Sequence, residues 1–355
     1  MKVLVTGGLG AIGVNYARHR LAQKDDVVVL DNQARGGSSR LNSEWLMRQA
    51  EELGVSARLA IIVGSVVDAG DIRSAATTFG GVDLIVHAAA QSSVDRSMIN
   101  PQLDFSSNVV GTFNVLEWVR QESQDTRVIF LASNKVYDVT EWPTELVRTR
   151  YRWVGRRVGP SEDRPFHTDA KEPYGASKIC GLYYCRAYAA LYGLPIVVCV
   201  PSGMYGPRQF GQTEQGWLGW FVIATYLRKT IMIHGDGFQV RDMCHVKDVC
   251  DALDLLAEVA PKYPGQVFNL GGGPANSVSL IEAIRMIEAC FGIESVVVRD
   301  AWRAQDNKVY ISNISRMVGL GWYPKVSLEA GIEDLCRWVK SAGSELRLVY
   351  ESQGS

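Results

Sequence analysis

The sequence has 355 residues, of which 47% are hydrophobic and 21% are charged, and its formal net charge is −1 at pH 7. This length allows one large α/β domain and a smaller one, and the balanced charge argues against a nucleic acid or a membrane surface as the main partner. No apolar run approaches the length of a membrane span, and we expect no signal peptide before the first predicted strand. The seven cysteines have no CxxC pair and no metal-ligand spacing with the five histidines. We therefore expect a cytoplasmic protein with reduced thiols and no metal site.

Short apolar segments alternate with helical segments through the first 200 residues. The predicted strands are 2–6, 27–30, 58–63, 82–87, 128–131 and 196–200, and the predicted helices include 14–21, 101–121 and 174–191. This alternation predicts an α/β fold with a doubly wound parallel sheet of the Rossmann type. Ligands of such sheets bind beyond the carboxyl ends of the strands, which is where Asp31, Gln91 and Ser133 fall.

The pattern changes in the second half of the chain. Residues 138–172 are polar and rich in Arg, Pro and Trp, which predicts an ordered excursion rather than a disordered linker. Predicted helices at 215–228, 246–260 and 278–291, with short strands at 231–233 and 267–270, indicate a smaller mixed α/β lobe partly interleaved with the sheet. We predict a domain at 1–200 that contains the excursion, a lobe at 201–343 and a tail at 344–355.

A glycine-rich turn follows the first strand. Gly7, Gly10 and Gly13 have the spacing GxxGxxG between a strand and a helix, and this arrangement brings backbone N–H groups and a helix N-terminus to a diphosphate. Asp31 ends the second strand, where an acidic residue accepts hydrogen bonds from the ribose hydroxyls of NAD and repels the 2′-phosphate of NADP. We therefore expect NAD, although a glycine turn without a nucleotide and a helix-capping Asp31 are the simpler alternatives.

Tyr174 and Lys178 form a YxxxK motif on a predicted helix. Residues four apart share one face of a helix, so we expect the ammonium of Lys178 to lower the pKa of the Tyr174 phenol and make it a base near neutral pH. Ser133, at the end of the fifth strand, can donate to the same substrate oxygen. The motif alone also fits a pair of residues on the surface of an amphipathic helix. Because it follows both a dinucleotide-binding turn and Ser133 in the chain, a catalytic role is favoured.

Together these motifs resemble the extended short-chain dehydrogenase/reductases of the nucleotide-sugar epimerase and dehydratase group. The resemblance runs from residue 1 to about 341 and includes NVVGT at 108–112, YGPR at 205–208, VRDMCHV at 240–246, FNLGG at 268–272 and RAQD at 303–306. Within that group, SNKVY at 133–137, TRY at 149–151, MYGPRQ at 204–209 and QGWLGWF at 215–221 resemble the CDP-paratose 2-epimerases, also called CDP-tyvelose epimerases.

The resemblance implies which residues act. It implies NAD binding by residues of the 1–200 domain and by the residue that follows it: Gly7, Gly10, Ala11, Ile12, Gly13, Asp31, Asn32, Ser65, Val66, Ala88, Ala89, Ala90, Asn108, Tyr174, Lys178 and Pro201. It implies catalysis by Ser133, Tyr174 and Lys178. It implies nucleotide-sugar binding, chiefly in the 201–343 lobe, by Gln91, Ser133, Asn134, Met204, Gln209, Gln239, Arg241, Arg303 and Asp306.

Two arginines are candidates to bind the substrate pyrophosphate, because a guanidinium group matches its oxygens in a bidentate manner. They are Arg241 and Arg303, and the alternative for each is a surface or interdomain ion pair. Asp306 either steers Arg303, binds the nucleotide ribose or has a structural role. His87 ends an apolar strand, where we expect a hydrogen-bonded structural imidazole.

The implied reaction is epimerisation at C2 of a CDP-deoxyhexose through a transient keto sugar, with NAD held and recycled. Tyr174 would take the proton of a sugar hydroxyl, and the protein would be a homodimer or a homotetramer. A UDP-sugar 4-epimerase is the alternative, because the same three residues serve C4. A 4,6-dehydratase is disfavoured because Asn134 and Lys135 stand where related dehydratases have Asp-Glu. A non-catalytic NAD-binding regulator is the alternative from another class.

Overall fold

The structure is a computed structural model that describes residues 1–155, 157–164, 166, 172–303 and 306–351. The chain forms two compact units: the first comprises Met1–Val136, His167–Val200 and Cys250–Phe268, and the second comprises Tyr137–Phe166, Pro201–Val249 and Asn269–Ser355. Parts of the predicted excursion and tail, and the residues Ala304 and Gln305 of the RAQD motif, lie outside the described residues. The domain bounds inferred from the sequence stay a prediction.

The first unit is built on a seven-stranded sheet. Its strands are β1 (Lys2–Thr6), β2 (Asp26–Asp31), β3 (Leu59–Val63), β4 (Leu84–His87), β5 (Arg127–Leu131), β8 (Ile196–Pro201) and β12 (Val267–Leu270), in the order β12-β8-β5-β4-β1-β2-β3. All neighbouring pairs from β3 to β8 are parallel. The strand order reverses direction between β1 and β4, where Thr6 pairs with His87. The predicted doubly wound Rossmann-type sheet is confirmed, with its ligand-binding edge at this reversal.

Helices flank this sheet. They are α1 (Ala11–Ala22), α2 (Gly37–Glu52), α3 (Ala69–Thr77), α4 (Val94–Ile99), α5 (Pro101–Phe105), α6 (Gly111–Glu122), α7 (Pro173–Tyr192) and α9 (Val246–Val259), the last of which crosses from the second unit into the first. The single helix predicted over 101–121 differs from the structure, because a π-helical turn at Ser106–Val110 separates α5 from α6. The apolar faces of α1 and α2 pack with β2 through Val14, Ala17, Leu21, Val27, Val29 and Leu46.

Among its described residues, the second unit contains short strands and five further helices. The strands are β6 (Thr144–Val147), β7 (Arg150–Trp153), β9 (Gly203–Tyr205), β10 (Thr230–His234), β11 (Val240–His245), β13 (Ser277–Ser279), β14 (Val296–Asp300) and β15 (Val309–Tyr310). The helices are α8 (Trp217–Tyr226), α10 (Leu280–Phe291), α11 (Ser315–Gly319), α12 (Leu328–Ser341) and α13 (Gly343–Tyr350). The excursion contains an antiparallel hairpin, β6–β7, that apolar periodicity did not indicate. In the described part of the chain, no helix is both long and apolar enough to cross a membrane.

The packing of α7 against the sheet depends on a glycine. A Cβ atom at Gly181 would lie 2.7 Å from Cζ of the buried Phe130 ring on β5. Helix α7 carries both Tyr174 and Lys178, so this close approach sets where the predicted catalytic helix lies on the sheet.

We expect Gly181→Val to lower the free energy of unfolding by about 1–3 kcal/mol, because the added methyl groups overpack the contact with Phe130. Urea denaturation measures the loss. The control is Ala330→Val, which introduces the same β-branched side chain at an exposed position of α12. Equal losses in both variants would contradict the packing argument.

Candidate functional site

The glycine turn after β1 forms a cradle that no larger residue could form. Gly7 has φ +64°, and a Cβ atom there would lie 2.7 Å from Cα of Ala89. Its N–H donates to the Leu30 carbonyl at 2.7 Å. No side chain caps the N-terminus of α1 at Gly10, as the described contacts show. The open helix end and the bare backbone fit a diphosphate group.

Asp31 lies at the end of β2 beside this turn. Its Oδ2 accepts a hydrogen bond from the N–H of Leu9 at 3.0 Å, and its Oδ1 accepts one from Gln33 at 2.8 Å. Burial raises the pKa of the Asp31 carboxyl, and these backbone hydrogen bonds act in the opposite direction. The carboxylate oxygens keep further lone pairs that can accept hydrogen bonds from ribose hydroxyls, so Asp31 fits the ribose of NAD.

The other predicted cofactor residues of the first unit line the same sheet edge or the ends of its strands. Val66 is buried against Gly111, and its carbonyl accepts from Asn114 Nδ2 at 3.0 Å. The N–H of Ser65 donates to Asp71 Oδ2 at 2.8 Å. Gly13, Ala11, Ile12, Asn32, Ala88 and Ala90 occupy the start of α1 and the ends of β2 and β4.

Tyr174 lies in the first turn of α7, which two side chains hold in place. The Glu172 carboxylate caps the helix by accepting from the N–H of Gly175 at 2.8 Å, and Ser97 Oγ accepts from the N–H of Tyr174 at 3.2 Å. Burial raises the pKa of the Tyr174 phenol to about 12, while its hydrogen bond with Ser133 lowers it. Ser133 also contacts Asn134, whose Oδ1 accepts from its hydroxyl at 3.3 Å.

Lys178 follows Tyr174 by one turn and is buried. Its ammonium donates to the Leu131 carbonyl at 2.9 Å and lies 5.1 Å from the centroid of the Phe130 ring. Burial lowers the pKa of Lys178 to about 8. The expectation that Lys178 lowers the pKa of Tyr174 is therefore not met in this structure. The ammonium is directed to the Leu131 carbonyl, and burial has the largest effect on the pKa of the Tyr174 phenol.

His87 is a structural imidazole, as expected. Its Nδ1 lies 2.7 Å from Thr6 Oγ1, and its Nε2 lies 3.0 Å from Thr112 Oγ1. Thr112 donates its own hydroxyl proton to the Asn108 carbonyl at 2.6 Å, which assigns the imidazole proton to Nε2 and makes Nδ1 the acceptor. A neutral His87 thus satisfies every partner, and burial lowers its pKa to about 3.

Asp104 is a buried carboxylate in this region that the sequence analysis did not select. Its Oδ1 accepts from Gln91 Nε2 at 3.1 Å and from Asn108 Nδ2 at 3.0 Å. Gln91 Nε2 also donates to the Ser93 carbonyl, so the amide of this predicted substrate residue is engaged within the protein. The i,i+4 spacing of Asp104 and Asn108 on one helical face was the available signal.

A pocket in the second unit brings together four of the predicted substrate-binding residues: Gln239, Arg241, Arg303 and Asp306. Its lining consists of Thr213, Trp217, Trp220, Phe221, Met232, His234, Gln239, Arg241, Leu280, Arg303 and Asp306. Gln239 is buried, and its Nε2 donates to the His234 carbonyl at 2.8 Å. The pocket thus combines aromatic surfaces with two guanidinium groups and one carboxylate.

Asp306 forms an ion pair with Arg241. Arg241 Nη2 lies 2.5 Å from Asp306 Oδ1, and Nη1 donates to the Val240 carbonyl. Asp306 meets Arg303 through the backbone, where its N–H donates to the Arg303 carbonyl at 3.1 Å. The carboxylate therefore orients Arg241, which lies on β11.

Three predicted residues of the second unit do not appear in the lining of this pocket. Pro201 ends β8, and the Nε2 of Gln209 donates to the Met204 carbonyl at 3.0 Å. Trp217 lines the pocket, and its ring meets that of Phe221 edge-on at a centroid distance of 5.3 Å.

Comparison with known proteins gives concordant results. The profile of the "NAD dependent epimerase/dehydratase family" matches residues 3–271. The CDP-paratose 2-epimerase of Salmonella typhi is 34% identical over 348 residues, which are 96% of this chain and 100% of that protein. The UDP-glucose 4-epimerase of Thermotoga maritima, solved with UDP-glucose, is 26% identical with a TM-score of 0.80, covering 96% of this chain and 99% of that one. The dTDP-glucose 4,6-dehydratase of Streptomyces venezuelae, solved with NAD and TYD, is 28% identical with a TM-score of 0.79, covering 97% and 98%.

The buried imidazole of His87 makes stability depend on pH. Its pKa is about 3 in the folded chain against an ordinary value of 6.5, so the unfolded chain is protonated first as the pH falls. The stability contributed by neutral His87 is complete above pH 6.5 and is lost as the pH falls toward 3. As the pH falls through this window, we expect the free energy of unfolding of the wild type to decrease by about 1.4 kcal/mol per pH unit more than that of His87→Gln. Urea denaturation at several pH values measures both slopes. Equal slopes would contradict the prediction.

Proposed function

The chain belongs to the NAD dependent epimerase/dehydratase family, and from this premise we propose that it inverts C2 of a CDP-linked deoxyhexose, as in the conversion of CDP-paratose to CDP-tyvelose. NAD is the cofactor, and the prediction of an NAD-dependent nucleotide-sugar enzyme of this family is confirmed. The observation that supports C2 chemistry is the similarity to a CDP-paratose 2-epimerase over the full length of that protein.

The residues of the first unit fit NAD in a consistent way. The cradle of Gly7, Gly10 and the α1 N-terminus would receive the diphosphate, and Asp31 would accept the ribose hydroxyls. Val66 would contact the adenine, and Lys178 would contact the nicotinamide ribose. When bound, NAD accepts a hydride from the sugar and returns it, which is the redox chemistry that the protein side chains lack.

Tyr174 is proposed as the acid–base group. Its phenolate takes the proton of the sugar hydroxyl as the carbinol carbon is oxidised, and it returns that proton when the keto sugar is reduced on its opposite face. Ser133 donates a hydrogen bond to the same sugar oxygen, which holds this oxygen near the phenol.

The pocket of the second unit is proposed as the nucleotide site. Arg241 and Arg303 would bind the diphosphate, and the ion pair with Asp306 at 2.5 Å holds Arg241 in a defined rotamer for that task. Trp217 offers a flat surface for the base, and Gln239 offers a buried amide oxygen without a described partner.

A UDP-sugar 4-epimerase is the second candidate. The Thermotoga maritima UDP-glucose 4-epimerase matches almost the whole chain, and the same three residues can serve C4. Asn134 and Lys135 follow Ser133 where a dehydratase needs an acid and a base to expel water, so the dehydratase reaction has less support.

We also propose that the protein is a homodimer, or a homotetramer built from such dimers. Several large apolar side chains are exposed on α5, α6 and α7, among them Phe105, Phe113, Tyr184 and Leu191, which is 73% exposed. Phe113 and Tyr184 meet edge-on at 6.1 Å and join the α6 and α7 surfaces. Exposed apolar side chains of this kind favour association with a second copy.

The first experiment is proton NMR of the purified protein with CDP-paratose in deuterated buffer. We expect a mixture of C2 epimers without deuterium at C2, because the hydrogen removed from C2 is the one returned to it. Deuterium at C2 would contradict the mechanism. No reaction with CDP-paratose, together with epimerisation of UDP-glucose at C4, would favour the second candidate.

The second experiment tests the acid–base group. We expect Tyr174→Phe to lower kcat at least about 100-fold, since general acid–base catalysis typically contributes that factor or more, with bound NAD retained. Tyr183→Phe is the matched control, because Tyr183 lies on the same helix and is 50% exposed. Full activity of Tyr174→Phe would contradict the proposal, and an unchanged cellular role in that variant would favour a non-catalytic regulator.

A further inference from the structure

The carboxylate of Asp104 is buried beside the proposed acid–base pair. Asp104 is 1% exposed, and the donors that bond its Oδ1 are the neutral amides of Gln91 and Asn108, at 3.1 and 3.0 Å. Hydrogen bonds from amides offset part of the cost of burying a carboxylate. A buried carboxylate that is ionised also requires a positive charge nearby.

Lys178 supplies that positive charge. Helix α5 packs on α7, and the charges of Asp104 and Lys178 act on each other across this contact. The Lys178 ammonium is itself buried, and its bonded partner, the Leu131 carbonyl, is neutral. The two opposite charges thus lie in one poorly hydrated region, each held by neutral hydrogen-bond partners.

Asp104 is also connected to Tyr174 through hydrogen bonds. Asn108 Nδ2 donates to Ser177 Oγ at 2.9 Å, and Ser177 Oγ donates to the Tyr174 carbonyl at 2.9 Å. This path fixes the first turn of α7 relative to α5. The carboxylate therefore affects the pair through its charge and through the position of its helix.

We propose that Asp104 is a positioning residue that acts as the internal counter-charge of the Lys178 ammonium and sets the pH range in which the Tyr174–Lys178 pair works. The proposal rests on the proposed function, because it takes Tyr174 as the base. Asp104 touches neither substrate nor cofactor in this assignment; it acts through Lys178 and Tyr174.

Several other ionisable groups lie on the elements around Asp104. They are Tyr174, Lys178 and the capping Glu172 of α7, Asp95 and Arg96 of α4, and His87 at the end of β4. His87 is neutral because burial lowers its pKa to about 3. The remaining charges are the same in every variant compared below, so they cancel in the differences between variants.

Removing the negative charge of Asp104 shifts the pKa values of Lys178 and Tyr174 in the same direction. Its negative charge raises the pKa of Lys178 and raises the pKa of Tyr174. The neutral variant Asp104→Asn therefore lowers both pKa values. Both limbs of the pH profile of kcat/KM should move to lower pH together, which a loss of packing alone would not produce.

The test is a difference ultraviolet titration of the Tyr174 phenol in the NAD-loaded protein, with Tyr174→Phe subtracted to isolate its signal. We expect the midpoint to fall by about one pH unit in Asp104→Asn, and to stay near the wild-type value in Asp104→Glu. Asp125→Asn is the control, since Asp125 is an exposed carboxylate. Asp104→Ser, also neutral, takes the place of Asp104→Asn if that variant does not fold, with the same expected shift.

The same variants are then compared in the pH profile of kcat/KM with CDP-paratose. Acid shifts of both limbs support the proposal, whereas an unmoved midpoint, or a lower rate with unmoved limbs, overturns it. If Tyr174→Phe remains fully active, the proposed function fails whatever the titration shows. If Tyr174→Phe is inactive and Asp104→Asn leaves the titration unchanged, the counter-charge alone fails.

Discussion

The structure of the first unit depends on a line of buried hydrogen bonds at the carboxyl edge of its sheet. Thr6 of β1, His87 of β4 and Thr112 of α6 are linked at 2.7 and 3.0 Å, and Thr112 continues to the Asn108 carbonyl. Each of these side chains is almost completely buried, so each must find its partner within the protein. The line fixes the two strands at which the sheet order reverses, and it thereby fixes the cradle of Gly7 above them.

The features that the sequence predicted well are those determined by neighbouring residues. The apolar run of β1, the glycine at φ +64° and Asp31 follow one another along the chain, and a parallel sheet brings strand ends to one edge. The YxxxK spacing places Tyr174 and Lys178 on one face of α7 by helix geometry alone. Local periodicity and turn chemistry were sufficient for these elements.

The features that the sequence did not predict depend on contacts between distant segments. The direction of the Lys178 ammonium is set by the Leu131 carbonyl, 47 residues earlier, and the pairing of Asp306 with Arg241 joins residues 65 apart. The spacing of Asp104 and Asn108 places both on one helical face, but the burial of Asp104 arises from the packing of α5 on α7 and could not be predicted from local sequence. The β6–β7 hairpin is short and half-exposed, so it lacks the alternation that marks a buried strand.

Burial has two opposing effects on the proposed acid–base pair of Tyr174 and Lys178. Excluding water makes every charge near Tyr174 act strongly, yet the same loss of hydration raises the phenol pKa to about 12 and lowers the Lys178 pKa to about 8. Without a negative charge nearby, the Lys178 ammonium would lose its proton at a still lower pH. A fixed internal carboxylate offsets this loss at the cost of a higher phenol pKa. The position of such a carboxylate therefore determines the balance between the two groups, and Asp104 occupies a position where it acts on both.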